Sequence, residues 1–200
     1  MGAAIETTKK DELISYNPAT GEEVGSVRIA DGEAVMTAVA KARGASEIWQ
    51  KSPFSERKRI VMRARSVILE ESDAIARLIS DEMGKPVAES FSAEIAPVLD
   101  LMQYFAKRSE KMLRPARRGI GMFGLMGRTS TIIYKPLGVV AIISPWNFPL
   151  SIPLGEVVMA LMAGNAVVLK PSELTPLTGE KIAEIFEIAQ LPKDVLQVVS

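Results

Sequence analysis

Two short segments in the second half of the sequence carry residue types that could do chemistry: Ser144-Pro-Trp-Asn-Phe-Pro149 and Lys170-Pro-Ser-Glu173. In the first, Pro145 and Pro149 restrict the backbone on either side of Asn147. A loop stiffened in this way can hold a side-chain amide in one direction. An amide is a neutral donor suited to an oxygen on which negative charge develops. The alternative is that Asn147 bonds only its own turn. Trp146 reads more readily as packing than as a stacking platform. In the second segment, Lys170 and Glu173 together offer a donor and an acceptor, which suits the two hydroxyls of a ribose. The Glu173 carboxylate would repel a phosphate on the 2′ position, which favours NAD over NADP without excluding NADP. An equally open alternative is that Ser172 or Glu173 caps the helix that follows.

Composition narrows the chemistry around these loops. The 200 residues contain no Cys and no His. That excludes a Cys nucleophile, a disulfide framework, a Cys/His metal site and His-based acid–base catalysis within them. No metal ligand set is expected. The 24 basic and 24 acidic side chains cancel, so no overall field attracts nucleic acid or an anionic membrane. Lys107 to Arg118 is locally basic, and it reads as a solvated helix end and loop. Glu6 stands where a myristoylation signal on Gly2 would need Ser or Thr, and no apolar leader is visible. The 20 uncharged residues between Lys135 and Glu156 include Pro136, Pro145, Pro149 and Pro153. Each interior Pro costs a helix about 3 kcal/mol, so the stretch reads as buried strand and loop rather than a membrane span. A cytoplasmic protein is expected.

The elements that position the two loops follow from apolar periodicity. Leu137 to Ser144 and Ala166 to Lys170 are continuous apolar runs, expected as parallel strands buried on both faces, and Val195 to Val199 reads as a third strand. Their starts near 138, 166 and 195 repeat at intervals of 28 and 29 residues. The helices between them are expected at Pro153–Met162 and Leu174–Gln190. This is part of a doubly wound parallel sheet, in which ligands bind beyond the carboxyl ends of the strands. Both loops therefore belong to the ligand edge. No G-x-G-x-x-G follows the first strand, and Gly164-Asn165 reads as a simple turn. Upstream, a small strand pair around Val24 and Val27 precedes a helix capped by Asp31. A second helix from Ser55 places Ile60, Ala64, Val67 and Ile68 inward and Arg57, Lys58 and Arg63 outward. A third runs from Asp73 to Gly84. A long fourth, with Val87, Phe91, Ile95, Val98, Met102 and Phe105 on one face, is expected to kink at Pro97. The carboxylate pairs Glu70/Glu71 and Asp81/Glu82 read as solvated helix surface. Gly119 to Pro136 reads as two strands of a β-hairpin arm.

Taken together, Gly138-Val-Val-Ala-Ile-Ile-Ser144, Pro145-Trp-Asn-Phe-Pro149 and Lys170-Pro-Ser-Glu173 resemble the NAD(P)-dependent aldehyde dehydrogenase superfamily. Asn17-Pro-Ala-Thr-Gly21 and Glu82-Met-Gly-Lys-Pro86 are similar to that family too, so the resemblance runs from about Tyr16 to Ser200. It implies an α/β fold: an N-terminal helical segment (1–118), a hairpin oligomerisation arm (119–136) and the first part of a Rossmann-like sheet (137–200). It implies that Asn147 is the catalytic oxyanion donor. Ile143, Ser144, Pro145, Trp146 and Ser172 would belong to the cofactor site, while Lys170 and Glu173 would hold the adenosine ribose. It also implies oxidation of an aldehyde to a carboxylic acid with NAD(P)+ and homo-oligomerisation. In that family the nucleophilic Cys and the general-base Glu lie in later segments. The chain is therefore expected to be the N-terminal part of such an enzyme and inactive alone. A non-catalytic nucleotide-binding or subunit-interaction role is the alternative.

Overall fold

The computed structural model describes residues 11–200; the expectations for Gly2, Glu6 and an N-terminal leader fall outside them. β1 (Glu12–Tyr16) and β2 (Glu23–Arg28) pair antiparallel. Asn17 builds the turn between them, its side-chain oxygen accepting from the N–H groups of Ala19 and Thr20. Asp31 caps α1 (Gly32–Trp49) by accepting from Ala34 N, as expected, and α1 buries Ala38, Ala42 and Trp49. α2 (Phe54–Glu70) and α3 (Ser72–Met83) follow, and Gly84 closes α3 at φ +76°, where a side chain would be strained.

The expected long fourth helix is continuous in path but not in pitch. α4 (Val87–Glu89) leads into a π-helical stretch, Ser90–Ile95, and then α5 (Ala96–Leu113). The irregularity therefore lies in the turn before Pro97 rather than at Pro97 itself. Pro97 has no N–H to give to Ala93, and its ring crowds that carbonyl. The preceding turn widens instead, and Ala96 N bonds to Phe91 O, five residues back. This widened turn carries Glu94 completely inward.

β5 (Val139–Ile143), β6 (Ala166–Lys170) and β7 (Leu196–Val198) form a parallel sheet in the order β5-β6-β7. α7 (Ser151–Met162) and α8 (Pro176–Ile188) are its crossovers. The strand order is sequential, so right-handed crossovers place α7 and α8 on one face. The other face is met by α1, which packs on all three strands. Full burial is confined to the central strand: Ala166 to Leu169 are all buried, whereas Ile142 is the one buried residue of β5. β5 is an edge strand here, which corrects the expectation that it is covered on both faces.

The arm also differs in detail. β3 (Ala116–Arg118) pairs antiparallel with β4 (Ser130–Ile132), so its first strand begins before Gly119. The tip is a helical turn, α6 (Met122–Leu125), with Met122, Phe123, Leu125 and Met126 exposed. Gly119, Gly121, Gly124 and Gly127 weaken strand pairing there.

Three polar residues read as surface or turn are structural. Arg57 is 5% exposed rather than outward-facing. Its guanidinium donates to Met162 O, Gln50 O and Ser52 Oγ, and it lies over the Phe54 and Trp49 rings. Carbonyls at helix ends lack partners within their own helices, and a five-donor group satisfies several at once. Asn165 accepts from Leu137 N and Gly138 N and donates to Ala160 O, so it clasps the start of β5 to the start of β6.

Glu82 is buried, not solvated. It accepts from Leu177 N, Thr178 N, Thr178 Oγ1 and Ser15 Oγ. It therefore caps α8, whose own N-cap residue, Thr175, makes no side-chain capping bond. Burial pushes the Glu82 carboxyl above its ordinary 4.5, against the bonds donated by Thr178, Leu177 and Ser15. A raised carboxyl binds its proton more tightly in the folded than in the unfolded chain. Stability from this group thus increases as pH falls through the raised value toward the ordinary one. Glu82→Gln removes that slope and costs about 1–3 kcal/mol at pH 7. In urea unfolding, the stability gap between wild type and Glu82→Gln should widen on acidification across this window; parallel pH profiles would contradict the assignment.

Candidate functional site

The two loops leave adjacent strands at the same end of the sheet. Ile143 pairs in register with Lys170. One residue further, Ser144 N donates to Lys170 O at 3.1 Å, and Ser144 Oγ lies 3.5 Å from the same carbonyl. The loops are neighbours, as the strand spacing predicts, and the buried Ser144 is the joint between them.

Beyond that joint, Pro145, Trp146 and Asn147 are exposed. The Asn147 side-chain amide has no hydrogen-bond partner among the described residues, so it is not spent on its own turn. The main-chain carbonyl of Asn147 is held. It accepts from Lys85 Nζ at 3.1 Å. Lys85 in turn pairs with Glu94 at 2.6 Å, with side-chain exposures of 5% and 0%. The second oxygen of Glu94 accepts from Leu150 N and Ser151 N, at the start of α7. The ammonium also sits 4.3 Å from the centre of the Phe148 ring. No side chain within α7 caps its N-terminus, and Glu94 supplies the missing acceptor and the favourable negative charge. Sequence reasoning gave neither partner a role: Lys85 entered within Glu82-Met-Gly-Lys-Pro86, quoted for the family resemblance, and Glu94 not at all. The available signal was an ionisable residue, Glu94, set directly beside the apolar stripe position Ile95.

On the second loop, Lys170 and Glu173 are both about half exposed, and their charged groups are 3.7 Å apart. Lys170 Nζ also donates to Pro171 O. Glu173 does not cap α8, because Glu82 does so. Ser172 is buried and turns inward, its hydroxyl accepting from Leu174 N; of the two capping candidates it alone bonds locally. α8 packs tightly beneath: a Cβ on Gly179 would come within 2.4 Å of Pro171, so no larger residue fits without moving the loop.

Beside these loops, Val35, Val39, Val139, Ala141, Ile143 and Val168 line an apolar cleft of about 420 Å³ between α1 and the sheet, with Lys170 and Arg43 also on its wall. Ile143 is 78% exposed. No group of three or more His, Cys, Asp or Glu among the described residues could hold a metal ion. No helix there is long and apolar enough to cross a membrane.

The sequence model of the aldehyde dehydrogenase family matches residues 5–200. The chain belongs to this family. N-succinylglutamate 5-semialdehyde dehydrogenase of Novosphingobium aromaticivorans is 38% identical over 193 residues, covering 94% of the chain and 38% of that enzyme. The crystal structure of an aldehyde dehydrogenase from Brucella melitensis biovar abortus superposes with a TM-score of 0.88 at 29% identity, over 98% of the chain and 39% of the structure. That of a Mycobacterium tuberculosis aldehyde dehydrogenase complexed with NAD+ gives 0.87 at 34% identity, over 96% and 39%. The chain thus spans less than two-fifths of the length of these relatives and has the α/β architecture that they share with it.

One atom at the base of the second loop is unaccounted for in this member of the aldehyde dehydrogenase family. Thr175 Oγ1 is buried and has no hydrogen-bond partner among the described residues. A buried hydroxyl without a partner is a net cost. Thr175→Val, equal in shape, is expected to raise stability by about 1 kcal/mol, measured as a higher urea midpoint at unchanged slope. A loss of stability would mean that the hydroxyl is engaged.

Proposed function

We propose that this chain supplies the adenosine grip and the oxyanion donor of an NAD-dependent aldehyde dehydrogenase that oxidises an aldehyde to a carboxylic acid. The observation that carries the reading is the Ser144–Lys170 joint. It sets the Asn147 amide, without a partner among the described residues, and the exposed Lys170–Glu173 couple side by side on the edge where parallel sheets bind ligands.

The residues fit the cofactor. Lys170 and Glu173 are exposed, and each retains hydrogen-bonding capacity toward a ribose diol. The adjoining cleft, with Ile143 on its wall, offers apolar cover, and Pro145 and Trp146 extend the exposed surface of the first loop. Ser144 and Ser172 act from within, holding the loops in shape. Bound NAD+ would supply the hydride acceptor. The Glu173 carboxylate opposes a 2′-phosphate, so NAD+ is the favoured form over NADP+. The Asn147 amide would donate to the aldehyde oxygen as it gains negative charge, an interaction stronger in the transition state than in the substrate. The exposed apolar tip of the arm supports association with further copies of the chain. The setting is cytoplasmic in this reading.

These 200 residues hold no Cys, hence no thiolate to attack an aldehyde. The purified chain should bind NAD+ and show no aldehyde-dependent NADH production. In titration calorimetry, Lys170→Ala and Glu173→Ala should each weaken NAD+ binding by about tenfold, near 1.4 kcal/mol, and NADP+ should bind less well than NAD+. Absence of NAD+ binding in the folded chain, or affinity indifferent to both substitutions, would overturn the adenosine assignment and favour a subunit-interaction role. NADH formation by the chain alone would refute the division of labour.

A further inference from the structure

We propose that Lys85 and Glu94 are positioning residues that set the direction in which Asn147 presents its amide. The catalytic meaning of that direction rests on the reading of Asn147 above; the placement itself does not.

The contacts made by the pair are unusual in where they fall. The Lys85 ammonium has three N–H donors. One goes to Glu94 Oε1 and one to Asn147 O, and the ammonium faces the Phe148 ring. Glu94 Oε2 takes Leu150 N and Ser151 N. A single ion pair therefore grips the loop at residue 147 and again at residues 150 and 151. Fixing the Asn147 carbonyl fixes the plane of the peptide joining Asn147 to Phe148. Pro149 restricts the backbone of Phe148, and Pro145 that of Ser144. Little torsional freedom remains between the two grips. The side-chain amide, with no partner among the described residues, takes its direction from this backbone.

Stability is a poor explanation for such a pair. An ion pair fully removed from water often contributes less than well-packed apolar side chains of the same volume. Here Glu94 is delivered by a π-helical turn that itself departs from the preferred helix geometry, and Lys85 by the connection after α3. Its ligands are not the groups nearest in sequence but the carbonyl and amides of the candidate site loop. Holding those groups in one arrangement is what this geometry achieves.

The chain contains three asparagines, Asn17, Asn147 and Asn165. Labelling asparagine alone with 15N therefore gives three side-chain amide signals, of which Asn17 and Asn165 report on the first turn and on the strand clasp. The test variant is the double substitution Lys85→Met with Glu94→Gln. It removes both charges together, and its Gln oxygen still accepts from Leu150 N and Ser151 N. Single Lys85→Met, which strands a buried carboxylate, serves as the harsher comparison and is expected to lose stability.

In the double variant the Asn147 side-chain signal should move further than either control signal, and its heteronuclear NOE should fall, reporting faster amide motion. Asn17 and Asn165 should keep their wild-type values, and the thermal midpoint should stay close to wild type. The proposal is overturned if the folded double variant leaves Asn147 unchanged, or if all three signals shift together, which would make the pair a general structural element. NAD+ titration of the same variant separates the two readings. Retained NAD+ affinity with a loosened Asn147 supports positioning confined to the first loop. A wild-type chain that binds no NAD+ defeats the functional reading while leaving the placement of the amide as measured.

Discussion

A parallel ladder normally ends in unpaired amides and carbonyls, and the chain then turns away. In this protein the β5–β6 ladder runs one bond past its last paired residues, through Ser144 N to Lys170 O. That bond ties the first residue of one loop to the first residue of the other. Because both strands point the same way, both loops must emerge on one edge. The stiff segment around Asn147 and the charged couple Lys170–Glu173 are thereby held within one site, although more than twenty residues and a whole helix separate them in sequence. The remaining structure near the site supports this juncture: Asn165 clasps the opposite ends of the same two strands, and Gly179 lets α8 approach Pro171 closely enough to back the second loop.

The two crossover helices share a second feature. Neither α7 nor α8 is capped by a side chain of its own N-cap residue. Each is capped by a carboxylate from the N-terminal helical region, Glu94 for α7 and Glu82 for α8. A negative group at a helix N-terminus satisfies orphan N–H donors and complements the helix dipole. Since both helices begin directly behind the site loops, these carboxylates connect the N-terminal helices to the loops through buried hydrogen bonds rather than through apolar packing alone. Arg57 does the converse job at the other end of α7, where it takes Met162 O. Apolar contacts hold the two regions together, and the buried polar groups fix their register.

Much of this was legible beforehand. The segments starting near 138, 166 and 195 correspond to β5, β6 and β7 to within a residue or two, most plainly at β6, because a central parallel strand must be apolar throughout. Asp31 and Gly84 mark helix ends whose local chemistry has few alternatives. The loops were legible as a pair for the same reason: parallel strands leave no choice of edge. The misreadings have a common cause. Arg57 and Glu82 lie on ordinary helices, Lys85 in the connection after α3 and Glu94 in the π-helical turn, and charge at such positions is usually solvated. Each of the four also meets a main-chain group of a distant segment, 105 residues away in the case of Arg57, and main-chain groups leave no trace in residue identity.

Residue types and spacing by themselves therefore determined the strands, most helices, the shared edge and the identities of Asn147, Lys170 and Glu173 as groups able to meet a ligand. Local rules suffice there, since periodicity and proline stiffness act over a few residues. Tertiary structure alone decided that the Asn147 amide has no partner among the described residues while its carbonyl is held. It also decided that Glu173 is not spent on capping, and that a buried ion pair lies beneath the loop. Those outcomes turn on which distant donor reaches which acceptor once water is excluded, and only the folded packing of α3, the π-helical turn and α7 sets those distances.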